Sequence, residues 1–128
     1  MKSFTKTYYF NSKLENVFKA LTDQDIIEDW SGSMAEMNPV EGGRFSMWND
    51  TINGRYVIVK PDQIIQEWKE ETWEKYSFVT IKLREVAGHT ELVLTHEKIP
   101  STSFITIKEG WEDHFMGPMK EYVEEEMD

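Results

Sequence analysis

The spacing of apolar positions changes from two to about 3.6 and back along this chain, and each change marks an element. Residues 4–10 alternate and are rich in Thr, Tyr and Phe, which predicts a first strand. Ser12 stands three residues before Glu15, the spacing of a reciprocal capping box. Leu14, Val17, Phe18 and Leu21 follow at helical intervals, so a short amphipathic helix is expected. Thr22 and Asp23 end it, and Asp23 offers a cap for a second short helix over Ile26, Ile27 and Trp30.

Turn formers dominate residues 31–43, with Asn38-Pro39 and Gly42-Gly43 as breakers and a weak strand near residues 34–37. Strand periodicity then takes over. Residues 45–48, 52–60 and 64–70 read as strands, separated by turns at Asn49-Asp50 and Pro61-Asp62. Pro61 lacks the N–H that a ladder needs. Val79, Ile81 and Leu83 alternate with Thr80, Lys82 and Arg84, Ala87-Gly88-His89 turns the chain, and Leu92 and Leu94 share a face on the return. That hairpin is the clearest in the sequence. After Pro100 the spacing is helical over residues 104–126. Ile107, Trp111, Phe115, Met119, Tyr122 and Val123 lie near one stripe, and Gly117-Pro118 predicts a kink.

The order is therefore a strand, two short helices, a run of about six strands and one long helix. An antiparallel sheet must cover its apolar face, and only the last helix is long enough to do so. The expected fold is α+β: a curved antiparallel sheet wrapped on a long C-terminal helix, as a single domain over residues 1–128. Such a grip commonly leaves a cavity between sheet and helix.

Charge removes several functions. With 14 basic against 24 acidic residues the net charge is −10, which opposes binding to nucleic-acid phosphates and to anionic membrane surfaces. The acidic runs at residues 67–74 and 121–128 read as solvated faces. There is no Cys, hence no disulfide, thiolate nucleophile or Cys-based metal site. No apolar run approaches the ~20 residues of a membrane-spanning helix. No signal core opens the chain, so a cytoplasmic location is expected. The three His lack helical zinc spacing, and neither a metal nor a cofactor is expected. No nucleophile elbow or phosphate loop is present, and Asp113 and His114, adjacent on a helix, do not face each other.

One ordered set of residues is more specific. It runs Val17-Phe18-Lys19-Ala20-Leu21-Thr22-Asp23 leading to Trp30, then Pro39 with Gly42-Gly43-Arg44-Phe45, then Gly54-Arg55-Tyr56. Pro61 before Ile64 and Trp68, Thr90-Glu91-Leu92, and Gly110-Trp111 followed by Tyr122 complete it. The set resembles the C-terminal domain of the heat-shock protein 90 ATPase activators and their bacterial homologues, within the START-like (birch-pollen-allergen-like, SRPBCC) superfamily. The resemblance implies the helix-grip fold, an apolar internal cavity and a link to stress response. The chain opens directly at the first strand. The further N-terminal domain that matters for chaperone stimulation in the eukaryotic activators is therefore expected to be missing, which favours ligand binding over chaperone activation.

On that fold the expected ligand-binding residues are Trp30, Phe45, Met47, Tyr56, Gln66, Trp68, Ile81, Leu94, Trp111, Phe115 and Met119. Aromatic and Met walls adapt to varied apolar ligands. Trp30, Tyr56, Trp68 and Trp111 are expected to touch ligand or gate its passage. Gln66 shares strand parity with Ile64 and Trp68 and should point inward; with Tyr56, His96 and His114 it would orient a polar end. The leading expectation is a non-enzymatic domain that binds a small apolar or amphipathic ligand. The second is an interaction module that docks a heat-shock protein 90 type chaperone through its acidic surface. The third is a cyclase or hydrolase using the same cavity, which needs a His or carboxylate of shifted pKa inside it.

Overall fold

Seven strands form one antiparallel sheet in the order β1-β7-β6-β5-β4-β3-β2, and a computed structural model describes residues 1–127 of it and of the helices it holds. The strands are β1 (Lys2–Phe10), β2 (Ala35–Met37), β3 (Arg44–Met47), β4 (Ile52–Lys60), β5 (Gln63–Glu70), β6 (Ser77–Val86) and β7 (His89–Ile99). Helices α1 (Leu14–Thr22) and α2 (Gln24–Ser31) separate β1 from β2. A long C-terminal helix runs through α3 (Phe104–Gly110), a π-helical segment (Trp111–Met116) and α4 (Gly117–Glu126). The sequence-based order and the helix-grip architecture are both observed.

Parity along the strands decides the layers. Leu92, Leu94 and His96 of β7, Val79, Ile81 and Leu83 of β6, and Ile64, Gln66 and Trp68 of β5 face inward and are buried. Ile107, Trp111, Phe115, Met116, Met119 and Val123 of the C-terminal helix close over them. Curvature comes from interruptions in the ladders. Register shifts occur between Tyr56 and Ile58 and between Lys2 and Phe4, and Lys98, facing the second shift, takes a φ of +61°. The β6–β7 turn puts Ala87 and Gly88 at φ +52° and +83°, the paired left-handed geometry that suits a two-residue hairpin.

One glycine is required by the sheet itself. A Cβ on Gly54 would stand 1.8 Å from the Glu67 carbonyl oxygen and 2.9 Å from the Phe45 ring, so only hydrogen lets that ring lie across β4. One local expectation fails. Helix α1 starts at Leu14 after Lys13 without a side-chain cap; the Ser12 hydroxyl is taken instead by the Asn16 amide at 3.0 Å. The capping box between Ser12 and Glu15 is therefore absent. Asp23, by contrast, caps α2 by accepting from the Ile26 amide at 3.1 Å. The expected kink at Gly117-Pro118 takes the form of the π segment before it. The Gly117 N–H bonds to the Glu112 carbonyl five residues back, a Cβ there would lie 2.8 Å from that oxygen, and Pro118 has no N–H to restore α-helical pairing.

Candidate functional site

The N-terminal half of the C-terminal helix stands off the sheet and leaves an open cleft of about 350 Å³. One wall is Trp48, Thr51, Ile52 and Trp68; the other is Thr106, Ile107, Gly110, Trp111, His114 and Phe115. The walls are apolar except for Thr51, Thr106 and His114. Local backbone places both sides. Trp48, Asn49 and Asp50 turn from β3 into β4 with φ of +52°, +55° and +71°. Asn and Asp tolerate that region, but a Trp held there is strained by about 1–3 kcal/mol. The strained turn holds the Trp48 indole 6.1 Å from the Phe115 ring across the cleft. Opposite it, the π segment presents Trp111, His114 and Phe115 together.

The floor of the cleft is a stack of rings. Trp68 and Trp111 lie 5.8 Å apart at 28°, and the His96 ring meets both edge-on. The imidazole is sealed by hydrogen bonds. The Trp111 indole N–H donates to His96 Nδ1 at 2.9 Å. His96 Nε2 therefore carries the proton and donates to Ser77 Oγ at 2.7 Å, whose own hydroxyl donates to the Trp68 carbonyl. Burial pushes the His96 pKa down to about 3. With both nitrogens engaged and the neutral form enforced, His96 has no free lone pair with which to take a proton from a substrate.

The expected ligand set divides. Trp68, Trp111 and Phe115 line the cleft. Phe45, Met47, Gln66 and Ile81 surround, with Trp68 and Phe115, a closed gap of only about 10 Å³. Leu94 and Met119 are fully buried core residues. Trp30 backs the cleft, its ring 4.9 Å from Phe115 and its indole N–H tied to the Ala20 carbonyl at 2.9 Å. Tyr56 lies deeper, 1% exposed. Burial raises its pKa above the ordinary range, the Gln66 amide pulling weakly the other way. Trp68 and Trp111 do not face each other across a void; they touch. Trp48, Thr51, Ile52, Thr106 and Gly110 are cleft residues outside the expected set, and Ile107, read from periodicity as part of the helical stripe, also lines the cleft. His114 reaches the cleft, whereas His96 does not line it. Among the described residues, no group of three or more His, Cys, Asp or Glu is placed to hold a metal, and no helix is long and apolar enough to cross a membrane.

Sheet, helix and lateral cleft together define a protein of the START-like, helix-grip class. Residues 11–124 match the family described as "Activator of Hsp90 ATPase homolog 1-like protein". The chain belongs to that family. It is 27% identical over 121 residues to mouse "Activator of 90 kDa heat shock protein ATPase homolog 2", covering 92% of this chain and 37% of that protein. It is 24% identical over 115 residues to the human homolog 1, covering 88% of this chain and 34% of the other. The chain thus spans about a third of these curated relatives. Among solved structures, an "HSP90 activator" from Plasmodium falciparum superposes with a TM-score of 0.90 at 32% identity, each chain 96% covered.

Proposed function

We propose that this chain is a cytoplasmic, non-enzymatic binding domain whose cleft holds a small apolar or amphipathic molecule. The observation that carries the reading is the cleft itself. It measures about 350 Å³, within the size range of small-molecule sites, and Trp48, Trp68, Trp111 and Phe115 wall it. The apolar surface that the open cleft still presents to water is unfavourable unless something covers it. Its few polar groups, Thr51, Thr106 and His114, are of the kind that fix orientation. Binding is favoured over catalysis because the one deeply buried His is locked neutral. Titrating lipids, flavonoids and polyketide-like compounds against tryptophan fluorescence tests the reading. Saturable changes with micromolar midpoints support it, and a flat response across the panel rejects it.

The relatives' names favour a second reading, docking on a heat-shock protein 90 type chaperone as part of a stress response. The Plasmodium falciparum protein, described as an HSP90 activator, matches this chain over 96% of each. Chaperone ATPase rates with and without this chain, at low salt, test it; an unchanged rate and no pull-down reject it.

A further inference from the structure

The cleft is apolar within, and the charge around it is mostly of one sign. Among the described residues that line it there is no Lys or Arg, and the rings of Trp48, Trp68, Trp111 and Phe115 form much of its wall. An aromatic face attracts a cation and repels an anion. Strand parity adds a carboxylate. Ile64, Gln66, Trp68 and Glu70 share one face of β5, and Glu70 stands directly opposite Ile52, which lines the cleft. The Glu71 N–H, next along, bonds to the carbonyl of Thr51, another lining residue, at 2.9 Å. Glu70 is therefore the residue that follows Trp68 on the cleft face, at the rim. It is half-buried, and among the described residues no Lys, Arg or His pairs with its carboxylate. Its neighbour Lys69 directs its ammonium at the carbonyls of Glu70, Glu71 and Trp73 instead. Residues 70–75 carry Glu70, Glu71 and Glu74 against Lys75, and residues 106–114 on the helix side carry Glu109, Glu112 and Asp113 against Lys108.

We propose that the cleft selects amphipathic cations: the tail of an alkylammonium lies against Trp68, Trp111 and Phe115, and its head stops at the rim, paired with Glu70. The inference rests on the ligand-binding reading above and adds the charge of the ligand. A carboxylate or phosphate head would meet Glu70 with no Lys or Arg among the lining residues to offset the repulsion. The head must carry an apolar tail, because a bare cation would lose its hydration between walls that are apolar beyond the rim. At the rim the head keeps part of its water while the tail is buried, as a Lys side chain does on its own stem.

Octyltrimethylammonium, octan-1-ol and octanoate share one tail length and differ in head charge. Binding is followed by tryptophan fluorescence at pH 8, where imidazolium does not compete with the head, and at about 0.15 M salt, which screens remote charges. The cation is expected to bind more tightly than octanoate. Glu70→Gln should weaken the cation about fivefold, the worth of one ion pair at a partly exposed rim, and leave octan-1-ol unchanged. Glu97→Gln removes the same charge from the outer sheet face beside Phe78 and should change neither. Octanoate binding as tightly as the cation, a cation affinity that survives Glu70→Gln, a loss that octan-1-ol shares, or an equal loss in Glu97→Gln overturns this inference alone. Failure of all three probes to bind overturns it together with the reading it rests on.

Discussion

Acid should unfold this protein through His96. The ring has a pKa of about 3 in the folded chain against 6.5 when unperturbed. Protonation would place a hydrogen on Nδ1 against the Trp111 indole N–H, donor facing donor at 2.9 Å, in a site with no exposure to water. Because the folded pKa is depressed, the unfolded chain takes up the proton first as pH falls. Stability is therefore unaffected above pH 6.5 and is lost progressively below it. The slope rises from about half to nearly the full ~1.4 kcal/mol per pH unit below the unfolded pKa, so lowering the pH from 6.5 to 4.5 removes roughly 2 kcal/mol. That is a large part of the ~5–15 kcal/mol by which domains are stable. The chain's 24 Asp and Glu carboxylates also begin to take up protons toward the acid end of this range. A control without the imidazole isolates the effect: His96→Asn keeps an acceptor for the indole but does not titrate. Urea unfolding of both proteins between pH 7.5 and 4 should give curves that diverge below pH 6.5, the wild type falling faster. Parallel curves, or a folded-state His96 resonance that titrates near 6.5, would refute the reasoning.

Three further substitutions probe the parts. Gly54→Ala drives a methyl into the Glu67 backbone and should lower stability by about 3 kcal/mol or more, seen as a fall in Tm of roughly 10 °C. Trp111→Phe keeps a ring in the stack but leaves His96 Nδ1 without its donor; a loss of about 1–3 kcal/mol at neutral pH is expected, with a shallower acid slope because a proton on Nδ1 no longer meets a donor. Arg55→Ala, which removes the exposed pair with Glu67 at 3.2 Å on the outer sheet face, should change the unfolding free energy by no more than about 1 kcal/mol.

The fold was legible because its elements are local patterns. Val79, Ile81 and Leu83 could only alternate into a strand, Ala87-Gly88 could adopt the paired left-handed turn, and Ile107 to Val123 formed one helical stripe. Capping was less legible. Ser12 had the right neighbour at Glu15, yet its hydroxyl was taken by Asn16, a competition between two local hydrogen bonds that spacing does not decide. The site was legible only in part. Trp68, Trp111 and Phe115 announced themselves as large inward-facing rings, but nothing in their spacing shows that Trp68 and Trp111 stack on each other. Trp48 escaped notice because its position depends on three successive left-handed residues, a backbone state that periodicity does not encode. The seal on His96 needed β6, β7 and the terminal helix brought together, which is tertiary information.

The indole N–H resonances of Trp48, Trp68 and Trp111 give the most direct test of the cleft as the binding site. Saturation with an apolar ligand from the fluorescence panel should move these three resonances together, with the Trp48 change largest because its side chain is the least buried of the three. A bound ligand that leaves all three unmoved, while shifting amides of the outer sheet face around Ile65 and Thr80, would contradict it.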